Sequence, residues 1–275
     1  MSDAAERRIR VEQIMGTAVS IDLRDAGVGD DAVEAVFGWL RLVDHRFSPY
    51  RPESEISRLG RGELTVDECH RDMRTVLSLC EAVREQSGGA FNAWHHRPDG
   101  RLDPSGLVKG WSVERGAAML EEAGARNFCI NAGGDVVARG HPEPGRRWRI
   151  GIRHPLEAGA LAAVVAAGDL AVATSGAYER GDHIVDPKAG QSPRAWLSMT
   201  VAGASLTLAD AYATAAFAMG EPGAAWVATR RGYAAYAISA EGLVRYTDGF
   251  ANLLRPDSRA EPTSRASTQR RIAAS

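Results

Sequence analysis

The sequence predicts an α+β fold in which mixed or antiparallel sheets carry packed helices. Helix-like and strand-like stretches come in blocks instead of alternating, and the turns within the strand blocks are of hairpin length. An Ala-rich run late in the chain reads as one long buried helix laid across those strands. With 275 residues, of which 44% are hydrophobic and 25% charged, the chain can bury a sizeable core in water. We take residues 1–254 as one domain and 255–275, rich in Arg, Ser, Pro and Ala without periodicity, as a disordered tail.

The elements follow in order. Residues 8–23 alternate apolar and polar around Gly16, which suggests a strand pair or a bulged strand. Val33, Val36, Phe37, Leu40 and Val43 have helical spacing over 30–44. Residues 47–59, FSPYRPESEISRL, are rich in turn formers and supply Ser48, Tyr50 and Ser54. A second amphipathic helix spans about 67–86, with Met73, Val76, Leu77, Cys80 and Val83 inward. Cys80 reads as core, because nothing nearby would lower its pKa. A Gly-rich turn over 87–110 carries His95 and His96, whose side chains diverge as neighbours do, so a solvated loop is the simpler reading. Gly106 and Lys109 then lead into a helix ending near Glu122. Glycine and lysine entering a helix N-terminus suit phosphate, although GxxxxGK[ST] is absent.

From residue 127 short strands take over, and the Ala-rich run 203–220 follows them. Helix is expected from about Leu208 to Met219, with Thr207 as N-cap and Gly220 as stop. Asp210 and Thr214 are four apart and share one helical face near the N-terminal end. A carboxylate and a hydroxyl flanked by small alanines leave room for a hard cation and a phosphate. The alternative is a packing helix whose Asp caps its first turn. A second helix near 222–230 and a hairpin over 233–248 complete the pattern.

A formal charge of −2 gives no pull toward nucleic acid or anionic membrane. Cys69, Cys80 and Cys129 are an odd set without CxxC spacing, which fits reduced thiols in the cytoplasm. The first residues lack a signal-peptide core, and no run is long enough to span a bilayer, so a cytoplasmic setting without a membrane anchor is expected. Basic residues are nearly all Arg, with Lys only at 109 and 188.

Nine stretches, in order, match one pattern. They are MGT (15–17), FSPYRPESEISRL (47–59), GGAFN (88–92), DPSGLVKGWSVE (103–114), NAGGD (131–135), WRIGIRHP (148–155), ATSGAYER (173–180), HIVDP (183–187) and ADAYATAAFAMG (209–220). From about residue 14 to 250 the chain resembles the FAD:protein FMN transferases, the ApbE-type flavin transferases. The resemblance implies an ApbE-type fold and an enzyme that binds FAD and Mg²⁺. It would transfer FMN to a Thr or Ser hydroxyl of an acceptor protein and release AMP. Asp210 and Thr214 match the family's metal side-chain ligands, and Gly106 falls where a main-chain carbonyl joins them. Ala213, at a third ligand position in some members, could offer only backbone oxygen. Met15, Ala90, Phe91, Asn92, Asp103, Lys109 and Ile184 fall on FAD-contacting positions, and His183 matches a proposed base for the acceptor hydroxyl.

Asp103 would either hydrogen-bond the isoalloxazine or orient its loop. Two departures stand out. Asn92 replaces the family's usual Asp, and only residues 93–102 separate the GGAF turn from the Asp-to-Lys motif, where a longer segment is common. The shortened wall makes Trp94 and Trp111 candidates to stack on a flavin ring. FAD hydrolysis to FMN and AMP, or flavin binding without catalysis, are the alternatives.

Overall fold

The computed structural model describes residues 8–94, 102–176 and 195–254, and the backbone of 269–272. The chain opens with strands β1 (Arg8–Ile14) and β2 (Thr17–Leu23), an antiparallel hairpin with a two-residue turn. Met15 (φ 54°) and Gly16 (φ 71°) form that turn, and both lie in the left-handed region that suits a tight hairpin. Helices α1 (Asp30–Phe47), α2 (Glu55–Gly60), α3 (Arg71–Gln86) and α4 (Ser105–Glu122) follow. Strands β3 (Phe128–Ala132), β4 (Asp135–Arg139), β5 (Trp148–Arg153), β6 (Leu161–Ala167), β7 (Leu170–Gly176) and β8 (Ser198–Gly203) come next. Helices α5 (Leu206–Met219) and α6 (Gly223–Ala228), strands β9 (Ala234–Ile238) and β10 (Val244–Thr247), helix α7 (Asp248–Ala251) and strand β11 (Gln269–Ile272) complete the described chain.

Among the described residues one sheet has nine strands in the order β1-β2-β3-β4-β7-β8-β9-β10-β11. Every pair in it is antiparallel except β10–β11. Side chains alternate between its two faces. Val19, Ile21, Phe128, Ile130, Val137, Ala171 and Ala173 join the main core with α1, α3, α4 and α5. Val136, Ala138, Val172, Tyr236 and Ile238 join a second cluster, covered by the separate β5–β6 hairpin and by Phe250 of α7. The mixed helix and antiparallel-sheet architecture is the expected one.

Four local details differ from expectation. Helix α5 starts earlier, because Ser205 is the cap: its hydroxyl accepts from Leu208 N at 3.3 Å. Thr207 instead gives its hydroxyl to Glu114 of α4. Residues 55–60 of the turn-rich segment close into α2, since Ser54 Oγ accepts from Ser57 N at 3.2 Å. Helix α4 begins before Gly106 and Lys109, because Asp103 Oδ1 accepts from Ser105 N at 3.0 Å and starts the helix there. Residues 269–272, within the stretch read as tail, pair in parallel with β10.

Helices α4 and α5 cross at unusually short range, and small residues allow it. A Cβ added at Gly110 would lie 2.5 Å from Leu206 O and 2.8 Å from Asp210 Cβ. One added at Gly106 would lie 3.0 Å from Thr214 Oγ1. Gly106 and Gly110 are four apart on α4, as Asp210 and Thr214 are on α5, so each pair presents one stripe to the other helix.

Candidate active site

A cavity of about 640 Å³ opens where α4 and α5 meet the β1–β2 turn, the C-terminal end of α1 and the end of β7. That volume is within the range of small-molecule and cofactor sites. Met15 and Gly16 line one side, Val43 to Arg51 another, and Asp103, Gly106, Lys109, Thr174, Ser175, Asp210 and Thr214 the rest.

The α4–α5 crossing builds the oxygen-rich end. Asp210 is 5% exposed and Thr214 3%. A carboxylate this deep needs donors. Gly110 N–H donates to Asp210 Oδ2 at 2.9 Å. Helix α4 thus supplies a main-chain donor to the carboxylate of α5. Thr214 Oγ1 and Ser175 Oγ are 3.1 Å apart. Asp210 and Thr214 supply a carboxylate and a hydroxyl, both hard oxygen donors, beside Gly106, where an added Cβ would crowd Thr214. Among the described residues no group of three His, Cys, Asp or Glu could hold a metal. A single-carboxylate site suits Mg²⁺, which commonly completes its shell with water and substrate phosphate.

Asp210 and Thr214 lie in the second and third turns of α5, not at its end. The acid at the α5 N-terminus is Glu114, which accepts from Thr207 N at 3.1 Å and Ser205 Oγ at 2.8 Å. Asp210 therefore does not cap its helix and is left to face α4 and the cavity.

Lys109 supplies the cationic wall. Its Nζ lies 2.9 Å from Asp135 Oδ2, and the Asp135 side chain is 1% exposed. Asp135 Oδ1 accepts from Thr174 N at 3.1 Å, while Oδ2 lacks a well-aligned hydrogen bond. Asp135 follows the Gly133–Gly134 turn, on a strand buried along most of its length.

Of the residues singled out from sequence, Met15, Asp103, Gly106, Lys109, Asp210 and Thr214 meet at this cavity. Met15, held at φ 54°, is the one non-glycine residue with positive φ among those described, and αL geometry of that kind marks functional turns. Ala90, Phe91 and Asn92 are absent from the cavity wall. Phe91 is buried behind Gly106, its Cε2 3.4 Å from where a Cβ there would sit, and Asn92 Oδ1 accepts from Trp94 N at 3.0 Å. Trp111 packs edge-on against Trp39 and Phe47 at 5.4 and 5.8 Å, and neither Trp111 nor Trp94 lines the cavity. Tyr50, 73% exposed, lines the cavity. His95, His96, His183 and Ile184 lie outside the described residues.

Sequence reasoning missed Asp135 and Ser175. Asp135 carried a usable signal, an acid directly after Gly-Gly in an otherwise apolar strand, VVAR. Ser175 lies in the ATSG stretch of the family pattern but was not singled out within it.

Known proteins place the chain. The ApbE family model matches residues 15–96 and 93–237, two stretches that meet at the shortened segment. The FAD:protein FMN transferase of Haemophilus influenzae is 32% identical, with 86% of this chain and 86% of that protein aligned. That of Vibrio cholerae is 32% identical over 75% of this chain and 80% of its own. The solved flavin transferase ApbE from Vibrio cholerae superposes with a TM-score of 0.78 at 23% identity, covering 91% of this chain and 100% of that one. The ApbE protein from Thermotoga maritima gives 0.79 at 20%, with the same shares. At such identities the superpositions speak for the fold, and the family match and the sequence relatives carry the assignment: this chain belongs to the ApbE family.

Proposed function

We propose that this protein is an FAD:protein FMN transferase that uses Mg²⁺ to move FMN from FAD to a Thr or Ser hydroxyl of an acceptor protein, releasing AMP. The observation that carries the reading is the convergence of Gly106, Asp210, Thr214 and Lys109 on one cavity. In this reading Asp210, Thr214 and the Gly106 carbonyl hold the metal. Bound there, Mg²⁺ would offset pyrophosphate charge as it builds on the leaving phosphate.

The chain's own groups do the rest. Lys109 meets phosphate oxygens from the second turn of α4. Met15 and Asp103 shape the pocket around FAD, with Phe91 backing the metal end and Tyr50 offering an aromatic face at the rim. Ala90, Asn92 and Ile184 remain FAD-contact assignments by family position. His183 is the proposed base. The acceptor oxygen attacks the FMN phosphorus, His183 takes its proton, and the P–O bond to AMP breaks.

The three cysteines form no disulfide, and among the described residues no helix is long and apolar enough to cross a membrane. The proposed setting is the cytoplasm, where thiols without a disulfide are the ordinary state. Incubation with FAD, Mg²⁺ and candidate acceptor domains tests the proposal. Flavin fluorescence on the acceptor band together with free AMP is the expected result. Free FMN with AMP would instead assign FAD hydrolysis, and unchanged FAD would assign flavin binding alone.

A further inference from the structure

We infer that Asp135 is a positioning residue that acts through Lys109, fixing the ammonium at the cavity wall and tying it to the strand that carries Ser175. The inference rests on the transferase reading for what Lys109 does, and on the geometry for what Asp135 does.

Asp135 does not line the cavity, whereas Lys109 does. The carboxylate is 1% exposed, so its charge has almost no water to meet it. Leaving such a charge unpaired is strongly destabilising, so the fold needs an opposite charge close by. Lys109 Nζ at 2.9 Å is the cation it meets among the described residues. The interaction restrains a long side chain that would otherwise sample many rotamers.

The other carboxylate oxygen does a different job. Strands β4 and β7 pair from Val136↔Val172 to Ala138↔Leu170, and Asp135 stands just beyond that ladder. There Thr174 N–H donates to the Asp135 side chain, not to backbone. The next residue, Ser175, meets Thr214 Oγ1 at 3.1 Å. One buried carboxylate thus links the cationic wall on α4 to the hydroxyl pair at the oxygen-rich end. Oδ2 keeps unused hydrogen-bonding capacity, so the ammonium can turn toward a phosphate oxygen and remain beside its partner.

Asp135→Asn tests this while keeping shape and the acceptor for Thr174 N–H. With FAD and Mg²⁺, AMP release by the variant should fall about 10- to 100-fold in kcat, the scale of a misplaced charge, with less than about a threefold change in KM for FAD. Lys109→Met should lose more, and the double variant should be no worse than Lys109→Met alone. Equal losses from Asp135→Asn in both backgrounds would make Asp135 merely structural and overturn the inference, as would wild-type kcat in the single variant.

A stability arm is independent of turnover. Lys109→Met orphans the carboxylate and should lower Tm by at least about 3 °C, and adding Asp135→Asn should restore most of that loss. Additive Tm changes would overturn the pairing. If wild-type protein turned over no FAD, the transferase reading would fail, while the stability arm would still decide whether Asp135 and Lys109 act as a pair.

Discussion

Gly110 N–H on α4 donates to Asp210 Oδ2 on α5 at 2.9 Å, a bond across 100 residues of sequence that exists because neither Gly106 nor Gly110 has a side chain. The same absence that lets the helices touch aims the carboxylate at the cavity.

Gly110→Ala should therefore damage both stability and site. Alanine favours helix over glycine by about 1 kcal/mol, but its Cβ would meet the Leu206 carbonyl at 2.5 Å, and backbone cannot rotate away. Overpacking of this kind costs about 1–3 kcal/mol, so the clash wins. Gly38 in α1 is the control, since the nearest atom to an added Cβ is Arg41 Nη2 at 3.9 Å. Gly38→Ala should stabilise by about 0.5–1 kcal/mol. Thermal unfolding of the pair gives opposite signs, and only Gly110→Ala should lose Mg²⁺-dependent AMP release.

Asp210 offers a sharper separation. Asn at that position retains an acceptor for Gly110 N–H but not the charge for a metal. Asp210→Asn should keep Tm near wild type and lose Mg²⁺-dependent turnover by about 10³-fold or more. Asp210→Ala should lose turnover equally and some stability as well, because Gly110 N–H is left without that acceptor. Thr214→Val should raise the Mg²⁺ requirement with a smaller loss of rate. Near-normal turnover by Asp210→Asn at saturating Mg²⁺ would remove it from the metal site.

The meeting of Asp210 and Thr214 at the cavity was readable in advance because helical spacing alone puts them on one face. Lys109 stood out as one of two lysines among many arginines. Alternation interrupted by Gly16 allowed a strand pair or a bulged strand, and the chain forms the pair. What sequence could not supply was contact between distant segments. Asp135 and Lys109 are 26 positions apart, and nothing in either segment states that a sheet turn will lie under that helix. Trp111 was misread for the same reason. Its ring is amphipathic enough for either fate, and only the placement of Trp39 and Phe47 decides for packing. Helix starts came earlier than read, by two residues at α5 and by about five at α4, because Ser205 and Asp103 accept the first amides.

The buried thiols and Tyr236 should make the fold sensitive to alkali. Burial, followed by the charge of Asp103, pushes the Cys80 thiol up to about 12. Burial, with Glu55 next, pushes Cys69 up to about 11. Burial, with Tyr246 next, pushes Tyr236 up to about 12. Unfolded thiols ionise near pH 8.5 and phenols near 10, so the folded state keeps protons that the unfolded chain releases. The contribution to stability is full below about pH 8.5 and declines as pH rises toward the folded values. Urea midpoints should fall between pH 8 and pH 10. At pH 8 a thiol reagent should leave Cys69 and Cys80 unlabelled in native protein and label both in urea.

Lys109 and His183 should fail differently, because one serves the pyrophosphate and the other the acceptor. Lys109 lines the cavity on α4 and would act on bound FAD and on the charge that develops as the P–O bond breaks. Lys109→Ala should weaken FAD binding and slow transfer and hydrolysis alike. His183 would act only on the proton of the incoming hydroxyl. His183→Asn should leave FAD and Mg²⁺ titrations close to wild type and cut transfer by about 10²–10⁴-fold, the span of a general base. Transfer by the wild type should also drop at acidic pH, since a protonated imidazole cannot accept the hydroxyl proton, and that limb should vanish in His183→Asn. Equilibrium FAD titration beside transfer rates, over a pH series, decides between the roles. Equal loss of FAD affinity in the two variants would make His183 a binding residue and leave the acceptor hydroxyl without an assigned base.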